Sequence, residues 1–425
     1  MSFNKRIFLD NVLATLFIFS LMGLFGSVSQ FGIFDAFDPV GDALADMELS
    51  DLVFSQLRED PMPDTNIVVV NFGNLPRSGI GEQINIISKY KPRVIGMDSF
   101  FGPDNPRQED TLGNLILSEA IRNAGNVVMV TSLKQSDSLS TVMGGEDIYD
   151  SLEISAPFFM DNAIEGFANL ETEAVHQEDF KACRAFPPHR NVAGVDKYAF
   201  SVQIAKAFDS VATKKFLARQ NDWETINYRG NTVDFFGITG YPNYFYVLDW
   251  YQVLEEDFVP EMIKDKVVIF GYLGGDLLDT SWDDKFFTPL NKKYAGKANP
   301  DMFGVVIHAN IVSMLLNEDF INDMGETWGI ILGIIICFIN VILFSKIYRR
   351  LPRWYDGITK LIQLVELAFL GFIMVFIFHL YSFKLNLTIT MIAVALAGDS
   401  LEVYYGVIKN MFRKESLKQL FTFGR

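Results

Sequence analysis

The chain has 425 residues, 49% of them apolar and 21% charged, with a net charge of −16 and two cysteines. An acidic balance of this size argues against nucleic acid as a partner. Cys183 and Cys337 fall in segments of opposite character, so no disulfide framework is implied.

Residues 7–33 form the first of four apolar stretches, each long enough for a hydrocarbon core of about 30 Å, which takes roughly 20 helical residues. A cleaved signal peptide would share the basic flank of Lys5 and Arg6. The apolar run continues through Phe31, Ile33 and Phe34, longer than a usual signal-peptide core, which favours an uncleaved anchor. Residues 35–327 then carry 23 Lys+Arg against 46 Asp+Glu, a net −23, while the rest of the chain nets +7.

Within that acidic region Pro61 and Pro63 mark a linker, and the β-branched run Ile67-Val68-Val69-Val70 predicts a strand over 66–72 covered on both faces. A helix over 82–90 ends at Lys91-Pro92. A strand over 93–98, a helix over 112–123 stopped by Gly125 and a strand over 126–131 complete a βαβαβ rhythm. Right-handed crossovers make such a sheet parallel. Residues 136–146 read as a surface loop. Segments 166–170 and 183–186 read as the two arms of a strand pair, separated by polar residues 171–179. A helix is expected over 198–208 and a strand over 225–228, with a turn at Arg229-Gly230-Asn231. The strand over 266–270 leads into Gly271, and a last helix over 306–316 carries the chain to the membrane.

The remaining apolar stretches run over 328–344, 358–378 and 385–407. Lys5, Arg6, Lys346, Arg349, Arg350, Arg353, Lys409, Arg413, Lys414 and Lys418 all fall on one side of a fourfold crossing, which makes that side cytoplasmic. The expected fold class is therefore an α/β periplasmic domain with a largely parallel central sheet plus four transmembrane helices. Its divisions are an anchor over 1–34, the outer domain over 35–327, a three-helix module over 328–408 and a tail over 409–425.

The order of short motifs carries a resemblance. Ile67-Val68-Val69-Val70, Pro76-Arg77, Arg93-Val94-Ile95-Gly96-Met97-Asp98 with Phe101, and Asn126-Val127-Val128 come first. Gly166-Phe167-Ala168-Asn169, Ile226-Asn227-Tyr228-Arg229-Gly230, Asp265 to Gly271, Thr288-Pro289-Leu290 and Gly304 to Asn310 follow. Over residues 67–316 this series resembles the second type of CHASE sensor domain, the extracellular sensory domain associated with bacterial cyclases and histidine kinases. The resemblance implies a sensory role, several membrane helices after the domain, and then an output domain. Only 409–425 follow the last crossing, too short for a catalytic domain, so output is expected to reside in a separate partner.

Residues for a ligand are sought where strands of an open parallel sheet end. Asn71, Asp98 and Gly271 are expected on one rim there, with capping of the next turn as the alternative for Asp98. Gly271, Gly274 and Gly275 lack the spacing and the lysine of a phosphate loop and read as a strand-to-helix turn. Asp276, Asp279, Asp283 and Asp284 read as a solvated acidic loop, with a cation site as the sharper reading. Arg77, Asp276, Asp284, His308 and Asn310 complete the candidate ligand set, although His308 without co-ligands reads as a packed or capping residue. No G-x-S-x-G or metal motif points to catalysis, and neither a cofactor nor a metal is expected.

Inside the membrane stretches, Asp10, Glu366, Asp399 and Glu402 stand out as costly carboxyls. Glu366, Asp399 and Glu402 are the candidates for partner contact, with a proton pathway as the sharper alternative. Asp399 and Glu402 share a helical face, and no Lys or Arg precedes Lys409 in that stretch. The sequence thus reads as an inner-membrane sensory protein in contact with the lipid bilayer and a separate output protein, with self-association as a further partner reading. The alternative is a structural subunit of an envelope complex.

Overall fold

The computed structural model describes residues 3–29, 48–102, 111–136, 149–170, 182–232, 242–279, 281, 283–292 and 299–409. The chain divides into two compact units, Phe54–Ile321 and a second made of Met1–Val53 with Asn322–Arg425. Among the described residues the α-helices of five residues or more are, in chain order, α1 (Phe3–Ser29), α2 (Arg77–Lys89), α3 (Thr111–Ala124), α4 (Phe200–Phe208), α5 (Ser210–Leu217), α6 (Trp250–Leu254), α7 (Gly304–Leu316), α8 (Glu326–Arg350), α9 (Tyr355–Tyr381) and α10 (Thr388–Val403).

The first unit is built on one sheet. Its strands are β1 (Asp64–Asn71), β2 (Val94–Met97), β3 (Val127–Lys134), β4 (Ser151–Glu153), β5 (Ile164–Phe167), β6 (Asn231–Thr232), β7 (Asn243–Leu248) and β8 (Val267–Gly271). They lie in the order β6-β7-β1-β8-β2-β3, with both β4 and β5 joined to β3. Every pairing is parallel except that of β4. The continuous β-branched runs explain the centre: β2 and β8 are buried at every position, because helices cover both faces.

On one face Val68, Ile95, Val127 and Val268 meet Ile80, Ile84 and Ile87 of α2, Leu117 and Ile121 of α3 and Val253 of α6 in a single apolar cluster. On the other face α4 and α7 approach so closely that only glycine fits beneath them. A Cβ on Gly166 would lie 2.6 Å from Phe200 Cα, and one on Gly271 would lie 2.4 Å from Val305 Cβ.

Two expectations for the middle of the chain are corrected. Residues 166–170 and 183–186 are not arms of one pair: β5 adds to β3, and Ala185–Phe186 pairs with Glu224–Thr225. Strand structure at 225–228 stops at Thr225, since Tyr228 turns inward and donates to Cys183 O at 2.8 Å. The last helix, expected over 306–316, is α7, whose residues Gly304 to Leu315 are all buried within the unit. Residues 137–148 and 171–181 lie outside the described residues.

The second unit holds four helices long and apolar enough to cross a membrane: Ile7–Leu24, Glu326–Arg350, Pro352–Tyr381 and Thr388–Ile408. The last part of the expected first stretch, 30–33, lies outside the described residues. Gly329 and Gly333 form a small-residue stripe on which α10 and its lead-in rest, a Cβ at Gly329 falling 2.6 Å from Asn386 O.

Polar contacts fix the alternation of the helices. At one end Asp10 pairs with Lys409, and Ser345 Oγ donates to Asn11 Oδ1 at 3.0 Å. At the other end Lys384 Nζ donates to Glu48 Oε2 at 2.5 Å, and Asn322–Asp323 pairs in parallel with Phe383–Lys384. The start of α1 and the ends of α8 and α10 therefore share one end. The α9–α10 connection lies at the other, with the segments that follow α1 and precede α8. Asp399, with no Lys or Arg before Lys409 in its own stretch, is paired from the neighbouring α9, where Lys360 lies 2.5 Å away.

Candidate functional site

Three strands of the sheet finish at one level. Asn71 of β1 stands opposite Gly271 of β8, Phe72 N donates to Gly271 O at 3.2 Å, and Asp98 N, just past β2, donates to Phe270 O at 2.8 Å. Strands β1, β2 and β7 are each followed by a helix on the α2 face, whereas among the described residues the next helix after β8 is α7, on the opposite face. The chain therefore parts to both sides at the end of β8, and in open parallel sheets such a switch point opens a crevice outside the carboxyl ends. Asn71, Asp98 and Gly271 are brought together on this rim.

Asn71 locks the rim in place. Its Nδ2 donates to Asp249 Oδ1 at 2.9 Å and Gly274 O at 3.2 Å, and its Oδ1 accepts from Gly73 N at 2.9 Å and Leu273 N at 3.0 Å. Asp249, which sequence reasoning missed, also accepts from Trp250 N at 2.8 Å and Leu277 N at 3.0 Å. The capping pair Asp249 and Gln252 at the start of α6 was the available signal. Gly73 sits at φ 51°, with no room for a Cβ against Gly275 O at 2.9 Å.

Over this floor stand two carboxyls. Asp98 makes no side-chain hydrogen bond among the described residues. Burial, with the Asp284 carboxylate adding, pushes its pKa up to about 7. Burial also pushes Asp284 up to about 6, although its outer edge stays exposed and water screens it more. Asp284 lies at the first turn of α7, where Gly304 N donates to its carbonyl at 3.2 Å, a position the helix dipole favours for a negative charge. Aromatic rings adjoin: Tyr272 meets Phe303 edge to face at 6.3 Å, and Lys285 Nζ stands 4.6 Å from the centre of the Phe303 ring. Burial raises the Tyr272 phenol and lowers the Lys285 ammonium.

Both carboxyls sit above their ordinary value of 3.8, so the folded state holds protons that the unfolded chain has released. Their contribution to stability is complete below about 3.8 and is lost as pH rises through about 6 and about 7. At neutral pH the rim carries negative charge that is only partly solvated, which a cation seated there would offset.

The other residues singled out in the sequence lie elsewhere or serve the loops. Asp276 Oδ1 accepts from Leu278 N at 2.8 Å, and Asp279 accepts from Gly275 N and Ser281 N, each at 2.8 Å, which holds its carboxyl below the usual range. The glycine loop is no strand-to-helix turn, since among the described residues the next helix begins at Gly304. Arg77, buried at the start of α2, donates to Asn114 and lies 5.7 Å from the Phe101 ring and 5.6 Å from that of Phe159. His308 sits in the α4–α7 seam, its Nδ1 2.9 Å from Ser201 Oγ, and burial lowers its pKa to about 4, so the ring is neutral. Asn310 clamps the turn before β6, donating to Gly230 O at 3.0 Å and accepting from Arg229 N at 2.9 Å. No group of three or more potential metal ligands occurs among the described residues.

Helix α7 links the rim to the place where the chain enters and leaves this unit. Near its far end Ser313 Oγ donates to Asp64 Oδ2 at 2.6 Å, at the start of β1. Just beyond, Asp319 pairs with Arg229, while Arg58 Nη1 donates to Tyr228 O at 2.8 Å. Burial, with Arg229 beside it, lowers the Arg58 guanidinium to about 9.

Among curated proteins and among solved structures, none matches the chain. The family model of the CHASE2 domain matches residues 41–343.

Proposed function

The chain belongs to the CHASE2 family, whose domain is sensory, and on that premise we propose that it is a membrane sensory protein whose α/β unit takes a cationic ligand at the rim of β8. The observation that carries this reading is the pair Asp98, largely desolvated, and Asp284, partly exposed, at the switch point of a parallel sheet beside Tyr272 and Phe303. Helix α7 is the route outward, since its first turn forms part of the rim and its last turn is tied to both chain connections.

In this reading the unit lies in the periplasm, both termini lie in the cytoplasm, and the helices span the inner membrane. The support is the gathering of Lys346, Arg349, Arg350, Arg353 and Lys409 at the end of the bundle opposite Glu48 and Lys384. A separate membrane or cytoplasmic protein receives the signal. Of the three carboxyls that are candidates for partner contact, Glu366 is bonded to Asn340 and Asp399 to Lys360, while exposed Glu402 makes no hydrogen bond or ion pair among the described residues and is the one offered to that partner.

The topology has a direct check. Ser151→Cys, exposed on β4, in a chain lacking both native cysteines, is expected to react with a membrane-impermeant maleimide in intact spheroplasts. Labelling only after lysis would reverse the orientation. The same chain purified from native membranes in mild detergent should bring a stoichiometric companion, and repeated recovery alone counts against a separate output protein.

A further inference from the structure

We propose that Glu366 and Asn340 form a proton-binding pair within the membrane, which latches α9 to α8. Asn340 is 1% exposed, and its Nδ2 donates to Glu366 Oε2 at 2.8 Å. Its other amide atom, Oδ1, is buried and has no partner among the described residues. An ionised carboxylate only accepts hydrogen bonds, so it leaves that oxygen empty, and no water is at hand in hydrocarbon to fill it. A protonated carboxyl changes the count. Its O–H donates to Asn340 Oδ1 while its carbonyl oxygen accepts from Nδ2, and the acid and amide close a ring of two hydrogen bonds. The proton comes from bulk water and returns there, and no other bond is made or broken.

The surroundings hold nothing else to neutralise Glu366. On α8 no charged residue stands between Glu326 and Lys346, and on α10 none precedes Asp399. Lys360 of α9 is engaged with Asp399, and Asp10 of α1 pairs with Lys409. Gln363, one turn from Glu366, spends its Nε2 on Val394 O at 2.8 Å and Ala395 O at 2.9 Å. The contact matters mechanically, because α9 packs chiefly on α10. The Asn340–Glu366 bond is the one side-chain hydrogen bond that joins α8 to α9 among the described residues. Loss of the proton would place a bare carboxylate there and open the latch.

The test uses the full chain in lipid nanodiscs at neutral pH. Infrared difference spectra should show the carbonyl band of a hydrogen-bonded carboxylic acid that disappears in Glu366→Gln and moves to higher frequency in Asn340→Leu. Spin labels on the outer faces of α8 and α9 should report an unchanged separation in Glu366→Gln, which keeps one donor and one acceptor, and a longer one in Asn340→Leu. Identical carboxylic-acid bands in the native chain and Glu366→Gln would mean that Glu366 is ionised, and an unchanged separation in Asn340→Leu would mean that the pair is no latch.

Discussion

Val268→Asp is expected to abolish folding of the α/β unit, because its carboxylate would sit in the middle strand of the sheet with no partner. Val268 is fully buried in β8, paired with Val68 on one side and Ile95 on the other, and its side chain belongs to the apolar cluster that holds Ile84 and Leu117. An unpaired buried charge costs several kcal/mol, against a total stability of about 5–15 kcal/mol for a domain. Expression of the full chain and its circular-dichroism melting are the readouts. A melt like that of the native protein would remove β8 from the centre of the sheet.

Asn71→Leu is expected to have the next largest effect, although it changes neither charge nor volume greatly. Four buried hydrogen bonds disappear together, leaving Gly73 N, Leu273 N and Gly274 O without partners and Asp249 short of one donor. Each orphaned buried group costs about 1–3 kcal/mol, so the sum is on the order of half a domain's stability or more. The denaturant midpoint should fall steeply, and amide exchange should accelerate first at Gly73 and Leu273. Native-like protection at those amides would show that the rim does not depend on this side chain.

The parallel core was legible because β1, β2, β3 and β8 are runs of Val, Ile and Met that need cover on both faces, and such runs announce themselves in one dimension. The rim of Asn71, Asp98 and Gly271 followed from the same logic. What stayed hidden depended on partners far apart in the chain. β7 is an aromatic segment, Asn243–Leu248, with no clear alternation, and its place beside β1 is set by register across nearly two hundred residues. Asp284, carried by an acidic run, did not reveal that it would stand beside Asp98, because residues 276–284 read equally well as a solvated loop. His308 is packed, as its lack of co-ligands suggested, against the hydroxyl of Ser201, whereas Asn310, placed in the candidate ligand set beside it, is used by the turn at Gly230. In the membrane unit, Lys360 lay one helix away from Asp399, and a reading confined to one helix could not pair them.

Thermal denaturation of the full chain in nanodiscs, with spermidine or calcium as the cationic probe, tests the rim most directly. Above pH 7, where Asp98 at about 7 and Asp284 at about 6 are both ionised, at least one probe should raise the melting temperature. Occupancy at a hundredfold excess over the dissociation constant corresponds to about 2.7 kcal/mol. Below pH 6 protons already occupy the carboxyls, so the same probe should stabilise less, and in Asp98→Asn the effect should vanish at either pH. No shift with either probe, or an equal shift in the native chain and Asp98→Asn, would contradict a cation site on this rim.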